Sequence, residues 1–64
     1  MTAREAMSRL RREGWTERPG KGSHAVFSKP GQRNISVPRH PGDLKPGILR
    51  SIARVAGWEW PPQR

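Results

Sequence analysis

Residues 15–38 read WTERPGKGSHAVFSKPGQRNISVP. Two clusters of turn-forming residues, Pro19-Gly20-Lys21-Gly22 and Lys29-Pro30-Gly31-Gln32, divide this stretch into three short segments. Trp15–Arg18 predicts a first strand, His24–Ser28 a second and Asn34–Val37 a third. The segments are close in sequence and joined by tight loops, which favours an antiparallel meander. Strand side chains alternate, so Ala25 and Phe27 share one face while His24, Val26 and Ser28 share the other.

Upstream, Thr2-Ala3-Arg4-Glu5 fits a capping box. Ala3, Ala6, Met7 and Leu10 then recur at helical spacing, and Gly14 is a natural stop, so a first helix is predicted over residues 3–13. Arg4, Arg11 and Arg12 fall off its apolar stripe, as a solvated face does. Downstream, Pro38 to Gly42 reads as an irregular loop. Pro46 suits a first helical turn, and Ile48, Leu49, Ile52, Val55 and Ala56 form an apolar stripe ending at Gly57. Pro61 and Pro62 cannot extend that helix. Trp58 or Trp60 is expected to pack back on the body, with the final residues loose. Two helices with apolar stripes need one surface to bury against. One face of the sheet supplies it and leaves the other face open. The expected fold is α+β, in the order helix, three antiparallel strands, helix. Phe27 and Ile35 or Val37 point inward, and His24 points outward or sits at the strand's start.

The chain has 64 residues, which means one domain, residues 1–64, and one small core. A domain this size buries only about 60% of the surface its unfolded chain exposes, so chemistry belongs on an open face or in a shallow groove. There is no cysteine, hence no disulfide and no thiolate metal site, as a cytoplasmic protein would have it. No apolar run reaches the roughly 18 residues of a membrane span, and the N-terminus lacks the apolar stretch of a secretory signal. The formal charge is +8, with its largest share in residues 15–40. So much positive charge on a small body favours an acidic partner: RNA, DNA or an acidic protein. An Arg-rich composition that binds nothing specific is the bland alternative.

The five acidic residues, Glu5, Glu13, Glu17, Asp43 and Glu59, are scattered in sequence, unlike the clustered carboxylates of a metal-dependent nuclease. Gly20-Lys21-Gly22-Ser23 lacks the G-x-x-x-x-G-K-S/T spacing of a nucleotide loop, although its amides, those of Gly22 and Ser23 among them, suit a single phosphate. No metal and no cofactor is therefore expected. A histidine is the natural proton carrier near neutral pH, and RNA brings its own nucleophile, the 2′-hydroxyl. His24 is the candidate acid or base. Lys21, Lys29, Arg33 and Arg39 are candidate phosphate ligands, and His40 is a possible second proton carrier. Beside these stand plainer roles: a structural or surface histidine, a Ser23 hydroxyl bonded to turn backbone, solvated lysines and arginines, and a His40 that orders its loop.

Three matches carry a resemblance to a known family. They are Glu13-Gly14-Trp15, resembling a G-W/F junction; Lys21-Gly22-Ser23-His24 followed by Phe27, resembling a G-S-H motif with an aromatic three residues on; and VPRHPGDLKPGILRSIARVAG from Val37 to Gly57, resembling V-P-x-H … L-x-x-G-x-L-x-x-I … A-G. In order and spacing the chain resembles the HicA, or YcfA-like, family of bacterial mRNA interferase toxins, over residues 1–57. That resemblance implies a fold like a double-stranded-RNA-binding domain, cleavage of mRNA through His24, and neutralisation by a HicB-type antitoxin that masks this surface. Many members carry a second histidine after the motif histidine, where this chain has Ala25. Residues 58–64, WEWPPQR, have no counterpart in the resemblance. The alternatives are a non-catalytic RNA-binding module of the same fold, an inactive relic of the toxin, and a basic DNA-binding protein. The start of the last helix holds one lysine, Lys45, where RNA-binding modules usually cluster several.

Overall fold

The computed structural model describes residues 1–62. Helix α1 spans Ala3–Arg12. Strands β1, Thr16–Pro19, β2, His24–Ser28, and β3, Ile35–Pro38, follow, and helix α2 spans Pro46–Ala56. The sheet is antiparallel in the order β1-β2-β3. The α+β architecture and element order are those expected from the turn clusters, with β2 at its expected place and β1 and β3 each shifted by one residue. No helix among the described residues is long and apolar enough to cross a membrane.

Each helix end has a local cause. The capping box at Thr2 is complete: the Glu5 amide donates to the Thr2 hydroxyl at 3.1 Å, and the Thr2 amide donates to Glu5 Oε1 at 2.8 Å. Pro46 opens α2, and Gly57, in the left-handed region at φ 77°, closes it. Prolines end both edge strands. In antiparallel pairing backbone groups alternate between facing the neighbour and facing away. The amides of Gly20 and Arg39 donate to the carbonyls of His24 and Ser23, at 3.0 and 2.8 Å. Counting back by twos, Pro19 and Pro38 occupy outward-facing positions, where a missing N–H costs the ladder nothing.

Burial follows strand parity. Ala25, Phe27, Ile35 and Val37 are buried against Ala3, Ala6 and Leu10 of α1 and Leu49, Ile52 and Ala53 of α2. Both helices therefore cover one sheet face. The register puts Arg18 beside Val26 and Ser36, and His24 beside Pro38, on the other face. Ala25 is fully buried opposite Val37, so this position belongs to the core. Trp58 and not Trp60 packs back. Trp58 is 8% exposed and its indole N–H donates to Glu13 Oε1 at 2.7 Å, whereas Trp60 is 43% exposed against Arg50. Of the final residues expected to be loose, Gln63 and Arg64 lie outside the described residues.

A candidate RNA-cleaving face

His24 opens β2 at the end of the β1–β2 turn. Its amide donates to the Lys21 carbonyl at 3.1 Å and its own carbonyl accepts from the Gly20 amide at 3.0 Å. Gly22 sits inside this turn at φ 60°, a conformation that favours glycine. Gly20 answers a different need: a Cβ there would lie 2.8 Å from Val26 Cγ2 and 3.3 Å from the His24 carbonyl oxygen. Within the Gly-Lys-Gly-Ser run, close packing beside His24 requires Gly20 and the left-handed backbone favours Gly22.

The imidazole is exposed. Its Nδ1 lies 3.3 Å from the Lys21 carbonyl oxygen. A carbonyl only accepts, so in the neutral ring this contact favours the tautomer with the proton on Nδ1 and the lone pair on Nε2. That tautomer is the one a general base needs. Ser23 is exposed, and among the described residues its hydroxyl makes no hydrogen bond to turn backbone.

Other residues assemble at the same end of the sheet. Lys21, Gly22 and Ser23 form the turn itself. Arg39 and His40 leave β3 beside it, since the Ser23 carbonyl accepts from the Arg39 amide. Both side chains line one groove against the start of α1. Arg39 turns to the helix side, where its Nη2 donates to Glu17 Oε2 at 3.1 Å. His40 is exposed, with its Nδ1 3.1 Å from the Pro41 carbonyl oxygen, and Arg4 and Met7 of α1 line the same groove.

Lys29 and Arg33 are not brought to His24. They lie five residues further along β2 and its partner strand, about 16 Å away at the usual strand rise. Lys29 is also engaged: its Nζ donates to the Glu13 carbonyl at the end of α1, 2.9 Å away, and lies over the Trp15 ring. Glu17, on the helix side of β1, bridges Arg11 and Arg39. The hydrogen bond from Arg11, and then that from Arg39, hold its carboxyl below the usual carboxylate range.

One cation of the open face was not singled out from the sequence. Arg18 pairs with Val26, which puts it on the same face as His24 and one diagonal step from it. It is exposed and makes no ion pair among the described residues. The alternation within β1 holds this information, but only once the register with β2 is known.

What the face offers chemically is one imidazole with a free Nε2, flanked by Arg18 and Lys21, over a flat surface open to an extended polyanion. No curated protein matches the chain. The family described as the HicA toxin of bacterial toxin-antitoxin matches residues 3–58. That span reaches from the start of α1 through Trp58, the residue that closes the core, and by it the chain belongs to the HicA toxin family.

Proposed function

We propose that this chain is a metal-independent endoribonuclease that cleaves mRNA, and that a HicB-type antitoxin neutralises it by covering the His24 face. The observation that carries this is the Nδ1 contact of His24 with the Lys21 carbonyl, which orients the ring and leaves Nε2 free above an open, cationic sheet face. Membership of a toxin family implies an antitoxin partner and arrest of the host cell.

In the proposed step Nε2 takes the proton of an RNA 2′-hydroxyl. The oxygen attacks the adjacent phosphorus, the bond to the 5′-oxygen breaks, and the leaving oxygen takes a proton. The chain ends as a 2′,3′-cyclic phosphate and a free 5′-hydroxyl. That second proton comes from the imidazolium just formed, since His40 lies in the groove against α1. Arg18, Lys21 and the amides of Gly22 and Ser23 hold the phosphate as its charge grows. Arg39 and Lys29 take structural parts, at Glu17 and at the end of α1.

The test is His24→Ala. Both proteins are induced in cells, and both are purified and incubated with an mRNA transcript in chelator. A general base contributes about 10²–10⁴-fold to rate, so cleavage should fall by that factor while circular dichroism stays native. Equal cleavage by the two proteins would remove His24 from the chemistry. RNA binding by both without cleavage would identify a binding module of the same fold.

A further inference from the structure

β3 is an edge strand whose outer side has no partner strand. The backbone alternation fixed by the Arg39–Ser23 hydrogen bond turns the backbone groups of Ile35 and Val37 toward β2, and turns the N–H and C=O of Ser36 and the C=O of Asn34 outward. Pro38, the next outward position, has no N–H, and its carbonyl accepts from the His40 amide at 3.2 Å. A partner strand therefore has a short, defined run to pair with. Helix α2 flanks that run. Between them lies a groove of about 480 Å³, lined among others by Arg33, Asn34, Ser36, Ile48, Arg54 and Val55. Ile48 and Val55 are half-buried, so an aliphatic side chain laid on them loses water contact at little cost in order.

We propose that this groove binds an extended acidic segment of a partner protein, which adds to β3 as a fourth strand. Charge argues for the acid. The only charged lining residues are Arg33 and Arg54, and neither has an ion pair among the described residues. Every acidic side chain of the protein is engaged elsewhere: Glu5 at the Thr2 amide, Glu13 at Arg9 and Trp58, Glu17 at Arg11 and Arg39, Asp43 at the terminal ammonium, Glu59 at Arg9. The backbone argues for a peptide rather than RNA. Asn34 and Ser36 present donors and acceptors alternately, which a strand matches and a phosphate, acceptor only, does not. A second copy of this chain is disfavoured, because edge-to-edge pairing would bring Arg33 and Arg54 of two molecules of charge +8 together. The matching segment puts the side chains of one parity into the groove, aliphatic ones over Ile48 and Val55 and acidic ones beside Arg33 and Arg54. The groove lies on the sheet's edge and helix side, away from the open face of His24, so the proposal stands whether or not His24 is catalytic.

The experiment uses the full chain, labelled with ¹⁵N, and a capped synthetic heptapeptide whose odd positions carry glutamate and valine and whose even positions carry threonine. The amides of Ser36 and Asn34 should shift, and that of Ser36 should exchange more slowly, while those of Lys21 to His24 stay still. The same peptide with lysine for glutamate should not bind. Ser36→Pro removes one outward N–H, as Pro38 already does, and should weaken binding about tenfold, the worth of one backbone hydrogen bond. If that variant fails to fold, Arg54→Glu serves, and it should weaken the acidic peptide. No shift at Ser36 and Asn34 at millimolar peptide, shifts confined to the His24 turn, or binding indifferent to Arg54→Glu would each overturn the proposal. So would a single-stranded RNA oligonucleotide that protects the Ser36 amide more strongly than the peptide.

Discussion

Replacing Glu13 by alanine should be among the most costly changes outside the apolar core. Its Oε1 accepts from the Trp58 indole at 2.7 Å, and its Oε2 accepts from Arg9 Nε at 3.0 Å. A hydrogen bond to a charged acceptor contributes about 1.5–3 kcal/mol when the donor is buried, as Trp58 is. The Arg9 pair, spaced i,i+4 with Glu13 one-third exposed, adds about 0.3–0.5 kcal/mol. Glu13→Ala therefore costs about 2–3 kcal/mol. A domain of this length holds roughly 3–10 kcal/mol in all, so the loss is a large share. At about 4–8 °C per kcal/mol the melting temperature falls by roughly 10–20 °C. Glu13→Gln keeps an acceptor for the indole and loses only charge, so it should cost about 1 kcal/mol. The Lys29 contact goes to the Glu13 carbonyl and survives both changes. The assay is thermal and urea denaturation followed by circular dichroism, for both variants, for Trp58→Phe and for Glu13→Ala/Trp58→Phe. The double variant should be less unstable than the two singles added together, by about 1–2 kcal/mol. Strict additivity, or equal effects of alanine and glutamine, would show that the indole–carboxylate contact does not hold the last segment down.

Arg18→Ala should slow RNA cleavage and lower the slope of log affinity against log salt by about one, with the melting temperature nearly unchanged; Arg18→Lys should recover the slope. An unaltered slope would take Arg18 off the RNA path. Glu17 should govern the acid side of the stability profile. Its folded pKa is depressed, so its contribution is complete above the ordinary carboxylate pKa and is lost as pH falls through the folded value. Wild type should weaken below about pH 4.5 more steeply than Glu17→Gln, and high salt should shrink the difference; parallel acid limbs would count against it. Gly20→Ala should cost about 1–2 kcal/mol, because its Cβ meets Val26 at 2.8 Å beside His24. Gly47→Ala, inside α2 with nothing within 4 Å, should instead add about 0.5–1 kcal/mol. Urea midpoints of the two variants moving the same way would contradict the difference in their surroundings.

What the sequence told about this fold came from short-range signals. Turn clusters, the capping box and the two apolar stripes each act within a few residues, and each located its element to within about one residue. The parity of Ala25 and Phe27 also told which face of β2 is covered, since alternation is local. Relations across strands were hidden. Arg18 could be assigned to the face of His24 only through the hairpin register, and a one-residue slip would have sent it to the helix side. Arg39 shows the same limit in reverse. Its nearness to the G-S-H turn is real for the backbone, but parity carries its side chain under α1 to Glu17, a partner 22 residues away. Lys29 follows Ser28 on the buried parity, so it meets the end of α1. Trp58 and Trp60 were equivalent in sequence, and what separates them is Glu13, whose carboxylate waits at the end of the first helix.

The distribution of ion pairs explains how so basic a chain keeps two helices on one sheet face and still offers positive charge to a partner. All five acidic side chains are used in the helix layer or at its rim, against Arg9, Arg11, Arg39, the terminal ammonium and two hydrogen-bond donors. The cations they neutralise are those that would otherwise repel one another where the helices meet the sheet. Arg18 and Lys21 on the open side, and Arg33 and Arg54 along the β3 edge, keep their charge unopposed. Each lies within about a Debye length of the surface where a partner would arrive, roughly 8–10 Å at physiological salt. Arg4, Arg12, Lys45 and Arg50 likewise have no ion pair among the described residues, so the helix layer is basic as well, and what sets the open face and the β3 edge apart is the group each places among its cations. A uniform basic coat would attract any polyanion without orientation. Here the open face carries the imidazole between cations, and the edge carries unpaired backbone groups between arginines, so the same net charge can steer two chemically different partners to two places.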